Sequence, residues 1–443
     1  MDGTDNISLS WGWNRVIQSL LPFEWQLLLI PLITGMIGYA TNWVAIRFLF
    51  HPVEFVGVQL PGLKTLAPAL PRKIRQIPGV MQGKIGWQGI IPSRSEKMGT
   101  IAAEKGVAKI ANEREFYEAF DPEKIASHIV THSQDEIREL TDDIIRKEYP
   151  ELWRTTPQQV RELIHIRVQR RLPAIAENIT DRIGDNINEV LDANEMITDH
   201  IDRNPETGNR MFLEVGDREL NFVINSGFYI GTFLGTFAIP LFLYIDQWWV
   251  LPMTGVVVGY LTNWIALRLI FYPIEERRIG PFKLQGIFIR RQQSAARTYA
   301  KIVAEEVVTV ANLANNLLYG SQSDRTRKMI RDSIRPEVDR AVGLAGPIIR
   351  ITSGTNQYDR VRDAFAKESI DWTMEPLRDP EFNKARSEAI ETLIRERMET
   401  LPPEEFIDLL RPAFQEDEWM LIMLGAVLGF VAGWLQLLVV TSL

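Results

Sequence analysis

The chain has 443 residues, 24% of them charged, with a formal net charge of −8 and no cysteine. A net acidic chain lacks the basic surface that nucleic acid requires, and without cysteine there is no disulfide, thiol nucleophile or thiolate metal site. A mean hydropathy of −0.07 and a pI near 5.4 look soluble, but the average conceals four apolar stretches set in strongly charged sequence.

In chain order, residues 1–26 hold one basic residue, Arg15, and neither a cluster of positive charge nor a small-residue cleavage site. They read as an outward-facing segment, and the first span as its own insertion signal. The predicted spans are 27–50, 222–243, 248–272 and 420–440, which contain no Asp, Glu or Lys. Each supplies about 20 apolar residues, enough helix to cross roughly 30 Å of hydrocarbon. Arg47, Lys64, Arg72, Lys73, Arg75 and Lys84 follow the first span, and Arg268, Arg277, Arg278, Lys283, Arg290 and Arg291 follow the third. The turn 245–247 and the last three residues carry no positive charge. This asymmetry predicts that 51–221 and 273–419 are cytoplasmic lobes and that both termini face outward. Trp25 and Trp248 then mark the outer interface, Trp43 and Trp264 the inner one.

The first lobe opens with an apolar and basic stretch, 53–82, interrupted by Pro61, Pro68, Pro71 and Pro78; it cannot be one long helix and is expected to lie along the inner membrane surface. Helix starts are predicted at Asp121-Pro122-Glu123, Thr156-Pro157-Gln158 and, in the second lobe, Asp379-Pro380-Glu381. From Val160 through Ile164, Val168, Leu172, Ile175, Ile179, Ile183 and Ile187 to Val190 an apolar stripe recurs at helical spacing, with Pro173 expected to kink it. Such a stripe needs a partner helix or a lipid surface to cover it. The second lobe predicts a helix over 294–318 and another from Asp324 that breaks near Pro336. No useful strand pattern occurs in either lobe.

The apolar part is written twice. Gly38 to Pro52, GYATNWVAIRFLFHP, returns as Gly259 to Pro273, GYLTNWIALRLIFYP, identical at nine of fifteen positions. Gln88-Gly89-Ile90 recurs as Gln285-Gly286-Ile287, and each half closes on a glycine ladder: Gly227, Gly231 and Gly235, then Gly425, Gly429 and Gly433. The unit is signature helix, lobe, ladder helix, twice over. With two spans per unit, both halves enter the membrane the same way round, about an axis along its normal. The expected fold is all-α: an integral membrane protein with four transmembrane helices, two helical cytoplasmic lobes and an internal tandem (parallel) duplication.

Within the signature, Arg47 and Arg268 are expected to snorkel to the inner headgroups beside Trp43 and Trp264, with Asn42 and Asn263 about 7.5 Å deeper next to Thr41 and Thr262. Polar groups at that depth either bond a neighbouring helix or line a ligand path. The favoured reading sets Asn42 against Asn263 across the pseudo-two-fold axis. The glycine ladders read as close helix packing in the inner halves of spans two and four. His128, His132 and Glu136 share a helical face compatible with a metal, but without an HExxH pattern a solvated face is preferred. No Ser-His-Asp set, Walker loop or GxGxxG is present, so no catalytic residue, metal or cofactor is assigned.

The two signatures, the run Trp87-Gln88-Gly89-Ile90-Ile91-Pro92-Ser93-Arg94, and the glycine-rich last span with Trp434 and Gln436 resemble the bacterial membrane-protein family catalogued as domain of unknown function 445. The resemblance implies a bacterial inner-membrane location and no established activity. The expected function is non-enzymatic: spans that anchor helical lobes, which bind a protein partner or the membrane surface, envelope maintenance being one such role. The alternative is a transporter, channel or lipid-handling protein with its path between the halves at Thr41, Asn42, Thr262 and Asn263. Membrane lipids are the expected partners, together with a protein partner or self-association.

Overall fold

The structure is a computed structural model describing residues 29–61, 63–66, 68, 83–134, 136–245, 247–279, 282–342, 355–415 and 418–442. Outside the described residues lie the segment 1–26 with Arg15 and Trp25, the residues Pro71, Arg72, Lys73, Arg75 and Pro78 of the proline-rich stretch, and Asp246 of the turn.

The principal elements in chain order are α1 (Leu29–Phe50), β1 (Val56–Gln59), β2 (Lys84–Trp87), α2 (Pro122–Ser133), α3 (Glu136–Glu148), α4 (Gln158–Asp185), α5 (Ala193–Arg203) and α6 (Pro205–Val215). There follow α7 (Asp217–Ile245), α8 (Val250–Phe271), β3 (Arg277–Ile279), β4 (Phe282–Leu284), α9 (Val310–Tyr319), α10 (Ser323–Val342), α11 (Thr355–Trp372), α12 (Pro380–Thr400) and α13 (Glu418–Ser442).

The chain folds as two compact units, one drawn from 1–98, 204–295 and 401–443, the other from 99–203 and 296–400. This departs from the expectation of two lobes divided by chain order, because the middle of each hydrophilic stretch joins a single body. The reason is the apolar stripe of α4, which is covered by α10 from the other half of the chain.

In the first unit, α1, α7, α8 and α13 are long and apolar enough to cross a membrane. The principal packings are α1 along α7 and α8 along α13; α7 against α8 joins the pairs, and α1 also meets α13, where Gln436 Nε2 donates to Thr34 Oγ1 at 3.2 Å. α7 begins at Asp217, ahead of the predicted span, with Asp217 and Glu219 in its first turn, where the helix dipole favours acids. A short antiparallel hairpin follows each signature helix: β1 pairs Val56 with Trp87 at its open end, and β3 pairs Arg277 with Leu284. Strands of three or four residues are too short to register as alternation, which is why the sequence pattern showed none.

In the second unit, Asp121 accepts from the Lys124 backbone N–H at 3.4 Å and Pro122 occupies the first position of α2, as its sequence predicts. α4 instead starts after Pro157 with no side-chain cap, so Thr156 does not serve that role. α4 runs on through Pro173 and α10 through Pro336; a proline removes one helical hydrogen bond, and the packing along both helices holds them continuous. The helix expected over 294–318 is divided into Gln292–Ile302, a π-helical turn Val303–Val307, and α9, capped where Asn312 N–H donates to Thr309 Oγ1 at 3.1 Å. Helix contacts close a ring in which α3 meets α4, α4 lies along α10, α10 along α11, and α11 returns to α3.

Candidate functional site

The signature separates into two stripes on its helix. Gly38, Thr41, Asn42 and Ala45 are buried, as are Gly259, Thr262, Asn263 and Ala266, whereas Tyr39, Trp43, Tyr260 and Trp264 are exposed. Arg47 lies over the Trp43 ring at 5.8 Å and Arg268 over Trp264 at 5.7 Å, a cation–π arrangement on the outer face. The two amides do not meet. Asn42 Nδ2 donates to Val223 O of α7 at 2.8 Å, and Asn263 Nδ2 donates to Leu421 O of α13 at 2.8 Å. Each amide therefore ties its own signature helix to the ladder helix packed on it, which corrects the expected Asn42–Asn263 pairing. The hydroxyls of Thr41 and Thr262 turn back to Gly38 O and Gly259 O.

The ladders explain why the amides reach that far. A Cβ at Gly227 would strike Gly38 O and would stand 2.7 Å from Asn42 Nδ2; one at Gly425 would strike Asn263 Nδ2 and stand 2.7 Å from Gly259 O. Gly231 and Gly235 face Thr34 and Pro31, and Gly429 and Gly433 face Gly255 and Leu251. The contact thus extends along α7 to the start of α1, beyond the inner half that spacing alone implied. Replacing Asn42 and Asn263 by leucine is expected to cost about 0.6 kcal/mol per lost bond, at most about 1.7, seen as a lower thermal midpoint of purified protein; an unchanged midpoint would show that the amides do not hold the bundle.

The repeated Gln-Gly-Ile triplet closes each signature helix. Gly89 N–H donates to Pro52 O and Gly286 N–H to Pro273 O, both at 2.9 Å, while Gln88 Nε2 donates to Val53 O and Gln285 Nε2 to Ile274 O. Ile91 N–H and Phe288 N–H satisfy the helix-end carbonyls of Leu49 and Ile270, which have no partner within their helix.

The second unit holds what the sequence pattern did not reveal. Its four-helix ring surrounds a cavity of about 540 Å³, within the roughly 300–1,000 Å³ of ordinary small-ligand sites. The wall is mostly aliphatic: Ile164, Val168, Leu172 and Ile175 come from α4, Ile330 and Ile334 from α10, and Leu313 and Leu317 from α9. Interiors are otherwise packed with few voids larger than a water molecule, so an apolar space of this size is a candidate ligand site among the described residues. Tyr149 Oη, Trp153 Nε1, Thr326 Oγ1, Glu337 Oε2 and Arg362 Nε, all of cavity-lining residues, are buried with no hydrogen-bond partner. The sequence clue was the stripe of α4, which needed a partner to cover it and packs against α2 of its own half as well as α10 of the other.

Of the predicted histidine face, His132 and Glu136 are exposed, as a solvated face requires, and His128 is the exception. His128 is largely buried: its Nε2 donates to Pro376 O at 2.9 Å and its ring stacks on Phe382 with centroids 3.8 Å apart. Burial, chiefly, holds its imidazolium below the ordinary range, so the ring is neutral near pH 7. Asp379, not Glu136, joins it, and donor atoms of His128, His132 and Asp379 lie within 4.8 Å of one another. Zinc bonds of about 2.1 Å would bring tetrahedral donors to about 3.4 Å, and Asp379 Oδ1 already accepts from Glu381 N–H at 2.9 Å. The cluster is accounted for by the packing of α2 against the start of α12.

A UPF0754 membrane protein of Halalkalibacterium halodurans is 31% identical to the chain over 83 residues, 18% of this chain and 22% of that protein. The chain thus spans about a fifth of the length of the curated relative it matches. No family model matches the chain, and no solved structure matches it. This is a membrane protein. The similarity is to an uncharacterised bacterial membrane-protein family, and the four apolar helices agree with a membrane location.

Proposed function

We propose that the chain is a non-enzymatic lipid-handling protein of the bacterial inner membrane, in which a four-helix bundle anchors a helical body that takes up a hydrophobic ligand. The observation that carries this reading is the largely apolar cavity lined by helices from both halves of the chain. The reading includes a tandem parallel duplication, cytoplasmic placement of the body, outward termini, and membership of the family that the signature resembles. The repeated signature, the basic residues after spans one and three, and the matching amide contacts at Asn42 and Asn263 support it. It relocates the ligand from the path once expected between Thr41, Asn42, Thr262 and Asn263. Those side chains are buried; each asparagine donates to the backbone of the helix packed on it and each threonine to its own helix, which supports a role for Asn42 and Asn263 in locking each helix pair, as the ladder glycines do by close approach.

Native mass spectrometry of the full chain released from nanodiscs tests the reading. A hydrophobic molecule should remain with the wild type and be reduced in Ile175→Trp, whose indole narrows the cavity, without a lower thermal midpoint. Retention by the tryptophan variant at the wild-type level would reject the cavity as the site.

A further inference from the structure

The charges on the cavity wall are not balanced. Arg167, Arg171 and Arg362 line it against one acid, Glu337. Arg362 is engaged by Asp359 at 3.1 Å and Asp339 at 3.7 Å. Glu337 pairs with Arg340 and, more loosely, with Arg171 at 4.0 Å, an ion pair without a hydrogen bond. Arg167 has no ion pair among the described residues.

Four cavity-lining residues of α4 are also exposed: Val160 (43%), Leu163 (55%), Arg167 and Arg171. Their spacings of three, four and four place them on one stripe of the helix, so they mark the mouth, apolar at one end and doubly basic at the other. Inward of them lie Ile164, Val168 and Leu172. An aliphatic interior with a cationic pair at its rim fits one kind of molecule.

Resting on the hydrophobic-ligand reading above, we infer that the cavity binds a lipid whose alkyl chain lies among the α4 and α10 side chains and whose anionic head, a carboxylate or phosphate, is held at the mouth by Arg167 and Arg171. Hydrogen bonds to a charged group contribute about 1.5–3 kcal/mol, so an ionised head should favour binding roughly 10-fold to 100-fold over a neutral one.

The experiment uses the full chain in nanodiscs with a diazirine-bearing long-chain fatty acid or its methyl ester at equal bilayer dose, and maps cross-links by peptide mass spectrometry. The acid is expected to label peptides of α4 and α10 at least about 10-fold more than the ester. Arg167→Gln with Arg171→Gln should bring acid labelling down to that of the ester, with ester labelling unchanged, which also shows that the variant remains folded. Excess inorganic phosphate should leave acid labelling intact; if phosphate abolishes it, the site is one for free anions and the lipid assignment is overturned. Equal labelling by acid and ester in the wild type would overturn the head-group assignment and leave the cavity reading standing. Failure of both probes to label α4 and α10 would remove the cavity reading itself.

Discussion

Leucine at Gly227 together with leucine at Gly425 is expected to prevent the bundle from forming, leaving little folded protein in the membrane. At both positions the first new carbon would meet the backbone of the facing helix, Gly38 or Gly259, and the amide that ties the pair together. A flexible side chain could move aside, but a helix backbone cannot shift without parting the pair along its length. Ordinary overpacking costs about 1–3 kcal/mol; here two helix pairs are forced apart at once, and the donations to Val223 O and Leu421 O are lost with them. Lipid tails are as apolar as leucine, so such bundles depend on close packing and interhelical hydrogen bonds, both of which the substitution removes. Membrane abundance and the thermal midpoint of whatever can be purified provide the check. Wild-type values for both would mean that the glycine contacts do not hold the bundle.

The second large effect is expected at Glu219, in the first turn of α7. Its side chain is 4% exposed, and both carboxylate oxygens accept from Arg291 Nη1, at 2.9 and 3.1 Å. Arg291 follows the second Gln-Gly-Ile triplet, so the pair fastens the end of the second signature to the start of the first ladder helix. Removing one member of a buried pair leaves the other charge uncompensated, at a cost of about 3–5 kcal/mol, whereas replacing both with apolar residues is often neutral. Glu219→Leu alone should therefore lower the thermal midpoint sharply, and Glu219→Leu with Arg291→Met should recover most of the loss. A single variant indistinguishable from wild type, or a double variant as damaged as the single one, would show that the pair is not coupled in this way.

Parts of the site were legible before any coordinates. The signature pointed to Asn42 and Asn263 because polar residues stand out in an apolar helix, and the fourfold spacing of the ladders pointed to a packing face. Their partners were hidden: Gly38 and Gly259 were visible as repeated letters, but nothing local showed that they would sit under Gly227 and Gly425. Arg291 was read only as one of the basic residues after the third span, and nothing local marked Glu219 as its partner. Asp379 displaced Glu136 beside His128 because helical spacing predicts neighbours along one helix and is blind to the helix packed across it.

By itself the sequence determined the four apolar helices, the doubled signature and the helix start at Asp121. Hydropathy, residue identity and capping chemistry are properties of a short stretch of chain. Tertiary structure alone decided that two hydrophilic stretches become one body, that each asparagine serves its own helix pair, and that a cavity forms. These outcomes join residues more than a hundred positions apart, α1 with α7, α8 with α13 and α4 with α10, and the apolar face of α4 specified only that something must cover it.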